Sequence, residues 1–260
     1  MSKRRSRWMG LLAAALAAIA VASAGRGEAA QAPAASDQDL YTYVARWNVP
    51  RAEWNAVERY YASLTPAMNK LMEAGTISGW GEARSFVHEE GGSTHVNWLS
   101  AAGFAGLAKA LDAIRAAAPP PVAFENSKHS DQILRSTVNG GKPGAGGTGM
   151  LWVARYELQP GQMEDFSRLF EEEIKPLFVQ QVAAGNVLGY ALNFEAVHTA
   201  SPNVATVSYL LPDAAAIDKF QTALGRYQVV HPRAGAALEE VMFLAAHRDA
   251  LFEVLAFDQK

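Results

Sequence analysis

YVARWNVPRAEW (43–54) and WVARYELQPGQMEDF (152–166) are two writings of one segment, and the fold follows from reading them together. Val-Ala-Arg followed by an aromatic residue stands at 44–47 and again at 153–156. One extra residue in the second copy brings Pro50 onto Pro160, and from there an offset of 110 holds. Pro66 meets Pro176, Ala74-Gly75 meets Ala184-Gly185, Gly79-Trp80 meets Gly189-Tyr190, and Val87-His88 meets Val197-His198. Coincidences at so many spaced positions mark an internal repeat.

Each half spells the same order of elements. YTYVARW and MLWVARY are short, aromatic and β-branched, and read as strands. Trp54, Val57, Tyr61, Leu64, Met68 and Leu71 then step by three and four, as do Met163, Phe166, Phe170, Ile174 and Leu177, which predicts an amphipathic helix in each half. Pro66 and Pro176 lie inside these helices and are expected to kink them or start a new turn. Ala-Gly ends each helix. A hairpin follows (SGWGEARSFVH with STHVNWLS, LGYALNFEAVH with NVATVSYLL), then a second helix on Phe104, Leu107, Leu111 and Ile114 or on Ile217, Phe220, Leu224 and Tyr227. A last strand, QILRSTV or ALFEVLAF, closes each copy.

The pattern is β-α-β-β-α-β, twice. An open four-stranded sheet with helices on one face leaves its other apolar face wet, and two tandem copies cover each other. The expected fold class is therefore α+β, with two tandem ferredoxin-like βαββαβ units pairing into one α/β barrel. The expected boundaries are 40–138 for the first repeat, 139–149 (NGGKPGAGGTG) for a flexible Gly-rich linker, and 150–260 for the second repeat.

Ahead of the repeats, Lys3, Arg4, Arg5 and Arg7 precede an apolar run from Trp8 to Ala22 that ends in Ala22-Ser23-Ala24. This is the order of a secretory signal peptide, expected over 1–24, with a flexible spacer over 25–39 and a secreted or periplasmic destination. Residues 1–24 hold four of the 23 Lys+Arg and none of the 26 Asp+Glu, so the chain without them has a net charge of −7. An acidic chain without a basic cluster excludes nucleic acid as the expected partner. The absence of cysteine excludes thiolate chemistry and Cys-ligated metal. No later run is apolar enough to span a bilayer, so no membrane association is expected after cleavage. The chain is a pseudo-dimer in itself, with further oligomerisation left open.

Four of the six histidines fall in matched pairs, His88 with His198 and His129 with His247, and Asp131 and Asp249 complete two His-x-Asp steps. A His beside a carboxylate serves as a general acid or base near neutral pH. Strand directions place the end of the second strand, carrying His88, at the same rim as the start of the fourth, carrying His129. The candidate catalytic set is His88, His129, Asp131, His198, His247 and Asp249. Arg46 and Arg155 suit an anionic substrate or oxyanion; with Trp47 and Tyr156 they form the candidate ligand-binding set. The bland reading stands beside this one: the Asp caps a turn, and each Arg pairs with an acid such as Glu82 or Glu195. His95 and His231 have no counterpart and carry no weight in the repeat argument. The histidines and aspartates lack the short local spacing of a metal site, so no metal is expected, and no cofactor.

The repeated Val-Ala-Arg strand, the Ala-Gly helix stop and the Val-His hairpin strand, over about 40–258, resemble the dimeric α/β-barrel superfamily in its fused, two-copy form. That superfamily includes antibiotic-biosynthesis-type monooxygenases, EthD-like and NIPSNAP-like proteins, haem-handling enzymes and members without known activity, so the resemblance implies a fold and leaves the activity open. The leading expectation is an exported protein that binds a small organic molecule or serves as an assembly module, without catalysis. The alternative is a cofactor-independent monooxygenase-like enzyme with His/Asp acid-base residues at the rim. A haem-binding version of the enzyme reading, with a His as axial ligand, would show an absorption band in the visible spectrum.

Overall fold

The computed structural model describes residues 40–88, 91–197 and 203–260. The expected signal peptide and spacer, and His198, lie outside the described residues. The first unit runs β1 (Leu40–Asn48), α1 (Trp54–Glu73), β2 (Gly79–Ser85), β3 (His95–Ala102), α2 (Gly103–Ala117) and β4 (Lys128–Gly141). The second runs β5 (Gly146–Glu157), α3 (Met163–Leu169), a π turn (Phe170–Ile174), α4 (Lys175–Ala183), β6 (Gly189–Glu195), β7 (Val204–Leu211), α5 (Ala214–Val230), α6 (Pro232–Val241) and β8 (Arg248–Gln259). Each is a ferredoxin-like unit, as the repeat predicts.

The apolar steps of α1 become its buried face. Pro66 lies within α1 without ending it. In the second unit the corresponding helix is divided, and Pro176 sits in the first turn of α4, just after the π turn. Proline lacks an N–H and crowds the carbonyl a turn earlier, which a locally widened turn relieves. Both Ala-Gly stops are Schellman ends: Gly75 and Gly185 take positive φ, and Thr76 N–H and Asn186 N–H reach back to Leu71 O and Gln181 O. The helix α6 is not among the elements expected from the sequence; Pro232 opens it.

The strands close into a barrel in the order β1-β3-β2-β8-β5-β7-β6-β4, with β4 returning to β1. Every neighbouring pair is antiparallel, so β1 and β5 run the same way on opposite sides of the ring. The seams between units are β4–β6 and β2–β8. β4 reaches the first of these because it is 14 residues long, pairing with β1 over its first part and with β6 over its last.

Here the structure corrects the expected linker. Residues 139–149 are the end of β4, a tight turn and the start of β5. Asn139, Gly140 and Gly141 pair with Ala191, Tyr190 and Gly189 in the seam. A Cβ on Gly140 would lie 2.7 Å from the Tyr190 hydroxyl, so this glycine serves close approach and not flexibility.

The barrel wall has two faces. Val44, Leu134, Leu151, Phe252 and Val254 pack in the lumen. Outside, α1 and α2 cover one half of the wall over Leu64, Trp80, Leu99 and Leu107. Phe166, Phe178, Leu192, Val207 and Phe220 form the larger outer core of the second unit.

Candidate functional site

Strand alternation sorts the expected site residues between those two faces. Val44 packs in the lumen, which puts Arg46 on the inner face; Val153 does the same for Arg155. Tyr43 and Trp47, like Trp152 and Tyr156, pack on the outer faces. The expected ligand set is thus divided by the wall: the arginines face the lumen, and the aromatic pair faces the helices.

Both His-x-Asp steps lie on the outer wall, and each is clasped by two aromatics of its own first strand. In β4, Asp131 Oδ1 accepts from Tyr43 OH at 2.6 Å and lies 2.7 Å from His129 Nε2, while the His129 ring stacks on Trp47 at 3.7 Å. At β8, Asp249 Oδ1 accepts from Trp152 Nε1 at 2.8 Å, and the His247 ring stacks on Tyr156 at 4.6 Å. His247 Nε2 is 3.3 Å from Asp249 Oδ1 without hydrogen-bond alignment. Tyr and Trp exchange roles between the units, and the clasp is otherwise the same. His88 falls beyond β2, which ends at Ser85, and stacks on Trp54 at 5.1 Å, a different tryptophan from the one under His129.

The outer wall of the first unit holds a second set of groups, which the second unit does not repeat. Glu82 and Arg84 on β2 pair in register with Asn97 and His95 on β3. The same positions in the second unit are Leu192 with Val207 and Phe194 with Ala205, all buried. Four polar side chains therefore stand where the second unit places four apolar ones.

Three of them, Asn97, Arg84 and His95, are held by residues of α1 and its surroundings. Asn97 Oδ1 accepts from Tyr61 OH at 3.0 Å and from Trp47 Nε1 at 3.2 Å. Arg84 donates to Glu58 Oε1 at 3.0 Å and to Glu253 Oε2 at 2.5 Å. His95 is fully buried, with Nδ1 3.1 Å from Thr94 Oγ1 and Nε2 3.7 Å from Glu58 Oε1. No protein group hydrogen-bonds that Nε2 among the described residues.

Burial and charge push the acids and bases of this cluster apart. Burial, reinforced by the nearby Glu58 carboxylate, raises the Glu82 carboxyl to about 8. Burial lowers His95 to about 4 against the opposing pull of Glu58. Burial also holds the Tyr61 hydroxyl well above its ordinary range. At neutral pH the cluster thus presents a neutral imidazole, a protonated carboxyl and a phenol, which is an acid-base set. The signal was present in the sequence. His95 has no counterpart in the second unit, and lacking one is what distinguishes the first unit from the second.

No family model and no curated protein matches the chain. Solved structures with the same fold do. A protein of Fusobacterium nucleatum, provisionally described as a monooxygenase, superposes with a TM-score of 0.64 at 10% identity, over 86% of this chain and 96% of that one. A protein of Lactobacillus acidophilus with the same description gives 0.61 at 10% identity, over 85% and 97%. At this identity the likeness is one of fold, a closed eight-stranded barrel of two ferredoxin-like units. The leading expectation of a binding or assembly protein without catalysis does not stand against these neighbours, both of which are described as enzymes.

Proposed function

We propose that the protein is a cofactor-independent, monooxygenase-like enzyme acting on a small organic substrate, with its site on the outer wall of the first unit beneath α1. The observation that carries this is the replacement of Leu192, Phe194, Ala205 and Val207 in one unit by Glu82, Arg84, His95 and Asn97 in the other. Burying polar groups costs about 1–3 kcal/mol for each one left unsatisfied. The second unit forms the same sheet without them, so folding does not require them. The descriptions of the two similarly folded structures support the same reaction class.

In this reading Thr94 Oγ1 donates its proton to Trp47 O and accepts from His95 Nδ1, which leaves the lone pair on His95 Nε2. His95 then takes a proton from an enolisable CH₂ or a phenol, protonated Glu82 donates to the developing oxyanion, and Tyr61 and Asn97 orient the substrate. The resulting carbanion is electron-rich enough to reduce dioxygen. For a methylene substrate the balance is R₂CH₂ + O₂ → R₂C=O + H₂O, with the electrons supplied by the substrate and no other reductant. His129 and Asp131 act as positioning residues, fixing Trp47, whose indole N–H holds Asn97. We further propose that the two units descend from a duplication and that the chain is exported, as the basic-apolar-AxA order of residues 1–24 suggests.

The test is dioxygen uptake by the purified protein, without added metal or cofactor, on a panel of enolisable aromatic compounds under ¹⁸O₂. One ¹⁸O atom in the product and a roughly 100-fold or greater loss of kcat in His95→Ala are expected. No uptake across the panel, or a His95→Ala variant as fast as the wild type, would count against the proposal.

A further inference from the structure

The barrel lumen carries a second group of charges, separated by the wall from the outer cluster. Arg46 and Arg155 occupy corresponding positions on β1 and β5, which run parallel on opposite sides of the ring, so both guanidiniums stand at the same rim. Among the described residues neither is in an ion pair or a hydrogen bond, and the Arg46 Nε is buried without a partner. Burial first, and then the charge of Arg155, work against the charged form of Arg46, and Glu195 partly offsets them. Glu195 also accepts from Gln132 at 2.7 Å. Glu157 ends β5 on the same side and makes no ion pair with either arginine among the described residues. Arg248, opposite Arg155 in register, is exposed and donates to the carbonyls of Ala245 and His247.

Two like charges facing one another across a closed barrel, in a chain that is acidic once its first 24 residues are removed, are costly without a counter-charge. On the inner wall next to them Arg46, Gln132, Val153, Arg155 and Thr206 all keep partial solvent exposure, so a counter-charge can reach the guanidiniums from the rim. Below them the lumen turns apolar, with Val44, Leu134 and Phe252 buried.

We propose that this mouth of the lumen binds a small organic carboxylate, its oxygens held between Arg46 and Arg155 and its apolar body lying toward Val44 and Phe252. A carboxylate matches the flat donor fork of a guanidinium, and an apolar tail suits the floor better than inorganic phosphate does. The site is independent of the outer cluster, so it stands or falls separately from the proposed reaction.

The experiment uses the full chain, with benzoate as the probe and sodium phosphate as the comparison at constant ionic strength. Binding is followed by calorimetry and by the ¹⁵N–¹H signals of the arginine Nε groups. The expected result is saturable binding of one benzoate per chain, a shifted Arg46 Nε signal, at least about a tenfold weakening in Arg155→Met, partial retention in Arg46→Lys, and unchanged binding in His95→Ala. Absence of a saturable shift, equal binding in Arg155→Met, or phosphate bound as tightly as benzoate would overturn the proposal. Arg46→Lys keeps the charge, so a folding defect in Arg155→Met leaves the test intact.

Discussion

At the residue scale, Glu82 and His95 make opposite commitments to pH. Glu82 is raised in the fold from 4.5 to about 8, so it binds its proton more tightly folded than unfolded. Its contribution to stability is full below about 4.5 and is lost as pH rises through about 8. His95 is depressed from 6.5 to about 4, so its contribution is full above about 6.5 and is lost as pH falls through about 4. The two slopes oppose each other between about 4.5 and 6.5, and only the Glu82 slope remains from there to about 8. Stability measured by urea denaturation is expected to fall by on the order of 1–2 kcal/mol between pH 6.5 and 8. Glu82→Gln should flatten that decline; an undiminished decline would place its origin elsewhere.

The clasp around Asp131 gives a second prediction at this scale. Asp131→Ala removes the acceptor of the Tyr43 hydroxyl and the partner of His129. Both groups keep partial contact with water, so the loss should be modest, about 1 kcal/mol by thermal denaturation. If His129 positions Trp47 for the reaction, the same variant lowers kcat several-fold and leaves KM nearly unchanged. A purely structural clasp would lower the melting temperature alone.

At the element scale, the two units test each other. Glu82→Leu copies Leu192 into the first unit, and Leu192→Glu makes the reverse change. The first should raise stability by about 1–3 kcal/mol and abolish oxygen uptake, and the second should lower stability by several kcal/mol, because an unpartnered carboxyl enters an apolar core. Thermal denaturation of both variants checks this, and equal effects would remove the distinction between the units. The same comparison shows what the sequence made legible. Period-two strands, three-four helices and Ala-Gly stops are local signals, and they made the α+β class and the ferredoxin-like order of elements legible. Gly140 and its neighbours looked like a linker because glycine marks close approach as readily as flexibility, and only the Tyr190 ring opposite tells them apart. The helix α6 was missed because nothing in the first unit repeats it. The candidate site was missed for the same reason: repetition reports what holds the fold, and His95, Asn97 and Glu82 are where the units differ. Arg46 was readable as a charge on one strand face, but its orientation into the lumen depends on barrel closure.

For the whole molecule, closure depends on two seams and an apolar lumen. Trp98 lies across Gly81, where an added Cβ would stand 2.1 Å from its ring. Gly81→Ala must displace that indole within the barrel, and a loss of about 1–3 kcal/mol is expected in denaturant titrations. Each unit alone would expose its seam strands and the apolar lumen face. Because the proposed site lies on one outer wall while the lumen is shared, the barrel can support a site in the first unit that the second does not repeat.

The role of the outer cluster is read from the pH dependence of kcat/KM for oxygen uptake, in the wild type and in Glu82→Gln. The base needs neutral His95 and the acid needs protonated Glu82, so the wild-type profile should be bell-shaped, with limbs near about 4 and about 8. In Glu82→Gln, whose side chain cannot ionise, the alkaline limb should disappear. A wild-type profile without these limbs, or an alkaline limb that persists in the variant, would contradict the assignment of the outer cluster as the active site.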